Sequence, residues 1–397
     1  MAARPVTLSV YFEGTANTLR PVTTQVGRFF ERTKALDVTH SNVEFAGERQ
    51  LKMGFDGCGL TAGMPGVLFA YGLAPQCEQV LQRIKAIAAY FCTDRDGARA
   101  PDGGDASPGD CSSGPPILVN VLGLSRGGVA ALMLAQRLAR LPQQTLSRLV
   151  VSLVLFDPVP GNLVTTARYL DLLATVGLPG VMTTATGVMD VSYAPIDRVL
   201  ALYPHEPLPA IAFHAPILPK YPTCTVVEEE AMLGCHQGAL YAPVRACGHS
   251  IAAACRLSAH RLESFLAECG TVLVEEVPAA AALVSDKICL QDCEDAVAAP
   301  PQPSRRVAHS AGVYNGSVNR APQALLLNRH HLSMLARADP EEALRRVKAA
   351  VAAPDKMPLF LLSVHRGPPA ATVAATAEAT ARDAAEALAW LEAARPA

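Results

Sequence analysis

Ile117-Leu118-Val119-Asn120-Val121-Leu122-Gly123-Leu124-Ser125-Arg126-Gly127 is the stretch whose reading decides the fold. A β-branched apolar run ends at Gly-Leu-Ser-Arg-Gly, and helical periodicity over 128–141 begins at once. The pattern is a strand, a sharp turn and a helix, with a serine at the apex and a glycine two residues to either side. Such a turn holds the serine backbone in a strained conformation. Gly123 and Gly127 leave room for strand and helix to approach closely. The serine Oγ is then presented above a sheet edge, beside a helix N-terminus and the backbone N–H of Arg126. Ser125 reads as a nucleophile.

The pattern repeats outward from that stretch. Leu149 to Phe156 is a second buried-type run, and it ends at Asp157-Pro158. Its distance from the first fits a strand–helix–strand unit of a parallel sheet. Val6 to Phe12 is a strand that ends at Glu13-Gly14-Thr15. Val43 to Phe45 and Met53 to Phe55 read as short strands, and Gln76 to Phe91 as a helix. Leu163 to Val176 and His249 to Cys269 also read as helices, and Val199 to Leu202 and Ala210 to Leu218 as strands. The fold class expected is α/β, a mostly parallel sheet flanked by helices. Residues 1–270 form its catalytic domain, with a flexible insert at 94–116 and a lid over the site at 178–197. Residues 271–397 are a C-terminal extension, linker-like around Ala298 to Pro303 and then mainly helical (Pro340 to Ala353, Ala371 to Ala394), with a short strand-like run at Leu359 to Val364.

Composition narrows the function classes. The chain has 397 residues, half of them apolar and 18% charged, so it can bury a large core. A net charge of −2 without a basic block argues against a nucleic-acid surface. No signal peptide or membrane-length apolar run is read, and eleven cysteines without a tight framework read as reduced thiols. Cytoplasmic synthesis is the expectation, compatible with residence there or with export that needs no signal peptide.

A serine nucleophile needs a base, and the base an orienting acid. In an open parallel sheet these groups sit in loops beyond the carboxyl ends of the strands. Asp157, first after the neighbouring strand, is the acid offered at that edge. The base is expected downstream, where His205, His214, His236, His249 and His260 lie. His249 follows a glycine and opens a helix; His236, between Cys235 and Gln237, is the alternative base. Gly14 and Thr15, with the N–H of Arg126, are candidates for the oxyanion hole. Cys235, His236, Cys247, His249 and Cys255 are zinc-capable by type but lack standard ligand spacing, so no metal and no cofactor is assigned.

Five short motifs together resemble those of the bacterial type VI secretion phospholipase effectors of the first lipase class. They are Phe12-Glu13-Gly14-Thr15-Ala16-Asn17, Gly54-Phe55-Asp56-Gly57-Cys58-Gly59, Gly123-Leu124-Ser125-Arg126-Gly127, Phe156-Asp157-Pro158-Val159 and Gly248-His249. The family has Asp where Glu13 stands, and Asp-Val-Gly-Gly where Ser250-Ile251-Ala252-Ala253 follows the histidine. The resemblance covers about residues 6 to 265 and implies an α/β-hydrolase domain that cleaves acyl esters, phospholipids typically, with transient membrane contact. A small-substrate esterase or thioesterase and a binding protein on an inactive hydrolase fold are the competing readings. Nothing in the sequence sets the oligomeric state.

Overall fold

A computed structural model describes residues 4–40, 43–44, 47–60, 72–93, 114–159, 188–206, 216–235, 249–274, 306–309, 312–315 and 339–352. In chain order its elements are β1 (Val6–Phe12), α1 (Gln25–Arg32), β2 (Leu36–Asp37), β3 (Gln50–Phe55), α2 (Leu73–Thr93), β4 (Ile117–Leu124) and α3 (Arg126–Leu138). They continue with α4 (Gln143–Leu146), β5 (Leu149–Phe156), β6 (Arg198–Glu206), β7 (Ile217–Leu218), β8 (Val226–Cys235) and α5 (His249–Glu268). The last are β9 (Arg306–His309), β10 (Gly312–Asn315) and α6 (Pro340–Ala352).

Seven strands form one sheet in the order β2-β3-β1-β4-β5-β6-β8, and every neighbouring pair runs parallel. A parallel sheet covered on both faces needs strands that are apolar on both sides, and the nearly unbroken runs of β1, β4 and β5 meet that need. Alternate residues serve different layers. Val6, Leu8, Val10 and Phe12 of β1, with Val119 and Val121 of β4 and Val151 and Leu153 of β5, pack with α2 and α3. Tyr11, Leu122, Leu124, Val154 and Phe156 face the opposite way and pack with α1 and α5.

The end of α5 is clasped to the middle of the sheet. Asn120 Nδ2 donates to Cys269 O (2.8 Å) and Thr271 Oγ1 (3.0 Å), and Ser9 Oγ lies 3.0 Å from Thr271 Oγ1. Further up, Gln25 Nε2 donates to Cys255 O (3.0 Å) where α1 begins, at the carboxyl edge of β1. These two anchors make α5 antiparallel to the strands. Its first residue, His249, lies six residues before Cys255, about 9 Å further along the helix. The backbone of His249 therefore starts beyond the carboxyl ends of the strands.

Several expectations change. Residues 43–44 carry no strand; the short strand here is β2, at Leu36–Asp37. β8 was not foreseen. Of the expected lid at 178–197, the described part packs into the core through Val188, Val191, Ala194 and Ile196. Of the strand expected over 210–218 only Ile217–Leu218 is described, and it joins a second sheet in the order β10-β9-β7. That sheet links residues on either side of position 270, so the extension contributes a hairpin as well as the helix α6. The insert over 94–113, the helix at 163–176, most of the 271–305 segment and the elements expected after 352 lie outside the described residues.

Candidate active site

The chain steps from β1 to β2 and β3 on one side and returns to β4 on the other, so a crevice opens between the carboxyl ends of β1 and β4. Ligands of open α/β sheets bind at such switch points. Ser125 stands there, 4% exposed, with φ 55° and ψ −114°, a backbone conformation that favours glycine. Its N–H donates to Phe156 O (2.9 Å), which ties the apex of the turn to the end of β5.

The tightness of the turn explains its glycines. A Cβ on Gly123 would stand 2.2 Å from Gly127 O, and one on Gly127 would stand 2.1 Å from Phe12 O. The first contact closes the strand onto the helix, and the second presses the helix start against the end of β1. Asp157 follows β5 directly, fully buried, with φ 45° and its N–H donating to Leu202 O (2.8 Å). Ser125 and Asp157 therefore leave neighbouring strands at one edge.

Four of the five motif segments meet here. The loops after β1 and β3 touch through backbone: a Cβ on Gly57 would be 1.7 Å from Gly14 O, and Ala16 N–H donates to Cys58 O (3.0 Å). Arg126 Nη1 donates to Thr15 Oγ1 (2.6 Å), which joins the elbow to the β1 loop. Of the fifth segment, the backbone of His249 begins α5. Its side chain, Gly248, and all of His214 and His236 lie outside the described residues. His205 falls within β6, and His260 is half-buried along α5.

The β1 loop separates the two oxyanion candidates it carries. Gly14 N–H donates to Glu13 Oε2 (3.2 Å). The N–H groups of Thr15 and Arg126 have no acceptor among the described residues. Thr15 is thus the better-placed donor of this loop.

In the sequence Glu13 stands only as a departure from a motif; its signal is an acid set directly after a largely apolar strand. It is 1% exposed and bridges the β1 loop to α1, because Thr24, the N-cap of α1, donates its hydroxyl to Glu13 Oε1 (2.5 Å). Burial pushes its carboxyl up from 4.5 to about 7, against the opposing pull of Thr24 and the Gly14 and Gly27 N–H groups. Between those two values the folded chain keeps the proton and the unfolded chain has lost it, so stability falls as pH rises through the window. The loss is complete above pH 7 and amounts to about 3 kcal/mol. Glu13→Gln is therefore expected to gain on the wild type between pH 5 and pH 8 in paired denaturant titrations. An identical difference at both pH values would refute the buried proton.

Two further titratable groups of this corner are shifted by the same cause. Burial lowers Arg126 and raises the Cys58 thiol.

No family model matches this chain, and no curated protein does. Among solved structures it is similar to an uncharacterized protein from Pseudomonas aeruginosa, at 13% identity and a TM-score of 0.45, over 99% of this chain and 64% of that one. It is also similar to the peroxisomal alpha-beta-hydrolase Lpx1 from Saccharomyces cerevisiae, at 12% identity and a TM-score of 0.29, over 76% of this chain and 87% of that one. The chain thus spans less than two thirds of the Pseudomonas protein. The parallel sheet, its flanking helices and the strand–serine–helix elbow define the class as α/β-hydrolase-like. Among the described residues no helix is long and apolar enough to cross a membrane.

Proposed function

We propose that this chain is a serine hydrolase of acyl esters. One observation carries the reading: Ser125 is held at φ 55° and ψ −114° at the head of α3, with Asp157 leaving the adjacent strand end. A strained, glycine-flanked serine at a switch point has a purpose when its Oγ must reach a carbonyl. Ser125 attacks the ester carbon, and its proton passes to His249. The N–H groups of Arg126 and Thr15 receive the oxyanion. The imidazolium, held by Asp157, then protonates the leaving alcohol, and water releases the acid by the same path. No step requires a cofactor. The five motifs favour a phospholipid or another fatty-acyl ester as substrate, met at a lipid surface. The same resemblance supports export by a contact-dependent route.

Labelling with a fluorophosphonate tests the reading. Wild type should be labelled and His249→Ala should not, whereas His236→Ala should retain the label. Asp157→Asn should slow labelling by about 10³-fold or more, because the imidazole loses its orienting acid. Loss of label in His236→Ala with retention in His249→Ala would move the base to His236. Absence of label from folded wild type would overturn the proposal. A panel pairing phospholipids with short-chain esters then assigns the substrate.

A further inference from the structure

Arg126 is a cation in an unusual place. It is 5% exposed, it follows Ser125 directly, and no carboxylate pairs with it among the described residues. Its one hydrogen-bonded nitrogen, Nη1, is taken by Thr15 Oγ1, while Nε is buried with no acceptor. The neighbouring Cys58 thiol is kept neutral by burial and supplies no counter-charge. A guanidinium stays charged under all ordinary conditions, and burying it without an anion is strongly unfavourable.

The other buried arginines among the described residues show what is missing. Arg32 forms a two-nitrogen pair with Glu263, at 2.8 and 3.2 Å, and Arg261 pairs with Glu228 at 2.5 Å. Arg148 donates from Nε to Pro115 O and from Nη1 to Ala88 O, both at 3.1 Å. Arg126 has a single neutral hydroxyl. With Nη1 committed, the edge that remains is Nε with Nη2, the side-on fork that takes two oxygens of a carboxylate or phosphate together.

We infer that Arg126 selects acyl esters that carry an anionic oxygen group, phosphate or carboxylate, close to the scissile carbonyl. The inference rests on the proposed role of Ser125 for its placement in a reaction, but the anion site itself can be tested apart from catalysis. The bound anion would supply the charge that the fold withholds. Thr15 would set the plane of the guanidinium, so that substrate charge and oxyanion loop are aligned by one side chain.

The first arm uses Ser125→Ala, which cannot turn over. Thermal melts in inorganic phosphate or acetate, against chloride at equal ionic strength, should show a rise in Tm that vanishes in Ser125→Ala/Arg126→Gln. The second arm compares kcat/KM within two substrate pairs. One pair is p-nitrophenyl butyrate and the p-nitrophenyl monoester of glutarate; the other is a monoacylglycerol and its phosphate. Wild type should prefer the charged member by about tenfold or more in one pair, and that pair tells phosphate from carboxylate. Arg126→Gln should bring the ratio close to one, and Arg126→Lys, with charge but no fork, should keep part of it.

A wild-type ratio within about twofold of one in both pairs overturns the inference. So does an unchanged ratio in Arg126→Gln, since a residue that only held Thr15 would slow both members alike. Should Arg126→Gln not fold, the wild-type ratio and Arg126→Lys decide. Arg126-dependent stabilisation by phosphate or acetate with no ester cleaved would leave the anion site standing and remove the hydrolase. Cleavage without preference would do the reverse.

Discussion

Replacing Ser125 by alanine is expected to lower ester turnover by at least ~10⁴-fold, since loss of a nucleophile removes the covalent path altogether and leaves only binding and the oxyanion donors. The same position makes a second, less obvious expectation. Its φ of 55° and ψ of −114° belong to a region where only glycine is relaxed. Alanine inherits that strain and glycine relieves it. Ser125→Gly should therefore be as inactive as Ser125→Ala and more stable than it by about 1–3 kcal/mol. Paired chemical denaturation gives that difference directly. A glycine variant no more stable than the alanine one would mean the turn stores no strain, and the argument for a built nucleophile site would lose its main support.

The second large effect lies two residues on. Gly127→Ala is expected to destabilise by about 3 kcal/mol or more, because the new Cβ would meet Phe12 O at 2.1 Å and Glu13 O at 2.8 Å. Neither atom is the end of a flexible side chain, so β1 and the oxyanion loop would have to move away from α3. Gly128→Ala is the matched control. It lies in the same helix and gains the same helix propensity of about 1 kcal/mol, and its nearest contacts, Pro158 Cβ at 2.9 Å and Pro158 Cα at 3.1 Å, ask for a shift several tenths of an ångström smaller. It should cost less. Where Gly127→Ala does fold, the displaced loop should depress kcat more than KM, since Thr15 would no longer reach the transition-state oxygen. Equal stability of the two variants would show that the loop yields easily.

How far the site was legible follows from what each residue depends on. The elbow was readable because its causes are local: a β-branched run, two glycines, and helical periodicity starting at the next residue. β5 and Asp157 were readable for the same reason. β8 was not, although it is a full strand of the sheet. Its run Val226-Val227-Glu228-Glu229-Glu230 reads as exposed, yet Glu228 pairs with Arg198 at 3.3 Å and Arg261 at 2.5 Å, residues 30 and 33 positions away. Among the described residues the strand is an edge, paired on one side to β6, and Glu228 is held by a neighbouring strand and by α5. Charge partners so distant in sequence leave no local signature.

The stretch 188–197 misled in the opposite way. The expected lid spans the mildly apolar, glycine-bearing run 178–197, of which 188–197 is described, and there Val188, Val191, Ala194 and Ile196 pack in the core against the sheet. Composition reports that a segment wants burial; it does not report against what. Of the strand expected over 43–45, the described residues 43–44 carry none, as a run this short without a neighbouring ladder makes no strand.

From sequence alone came the α/β class, the turn at Ser125 and the placement of Asp157 directly after the next strand, each set by short-range periodicity and by turn chemistry. Tertiary structure decided which loop N–H groups have no acceptor among the described residues, that Glu13 is buried against the N-terminus of α1, that α5 begins beyond the strand ends, and that Arg126 is buried with no carboxylate paired to it among the described residues. These depend on close approach of segments far apart in the chain, where burial and the identity of the partner, not the residue itself, set the chemistry.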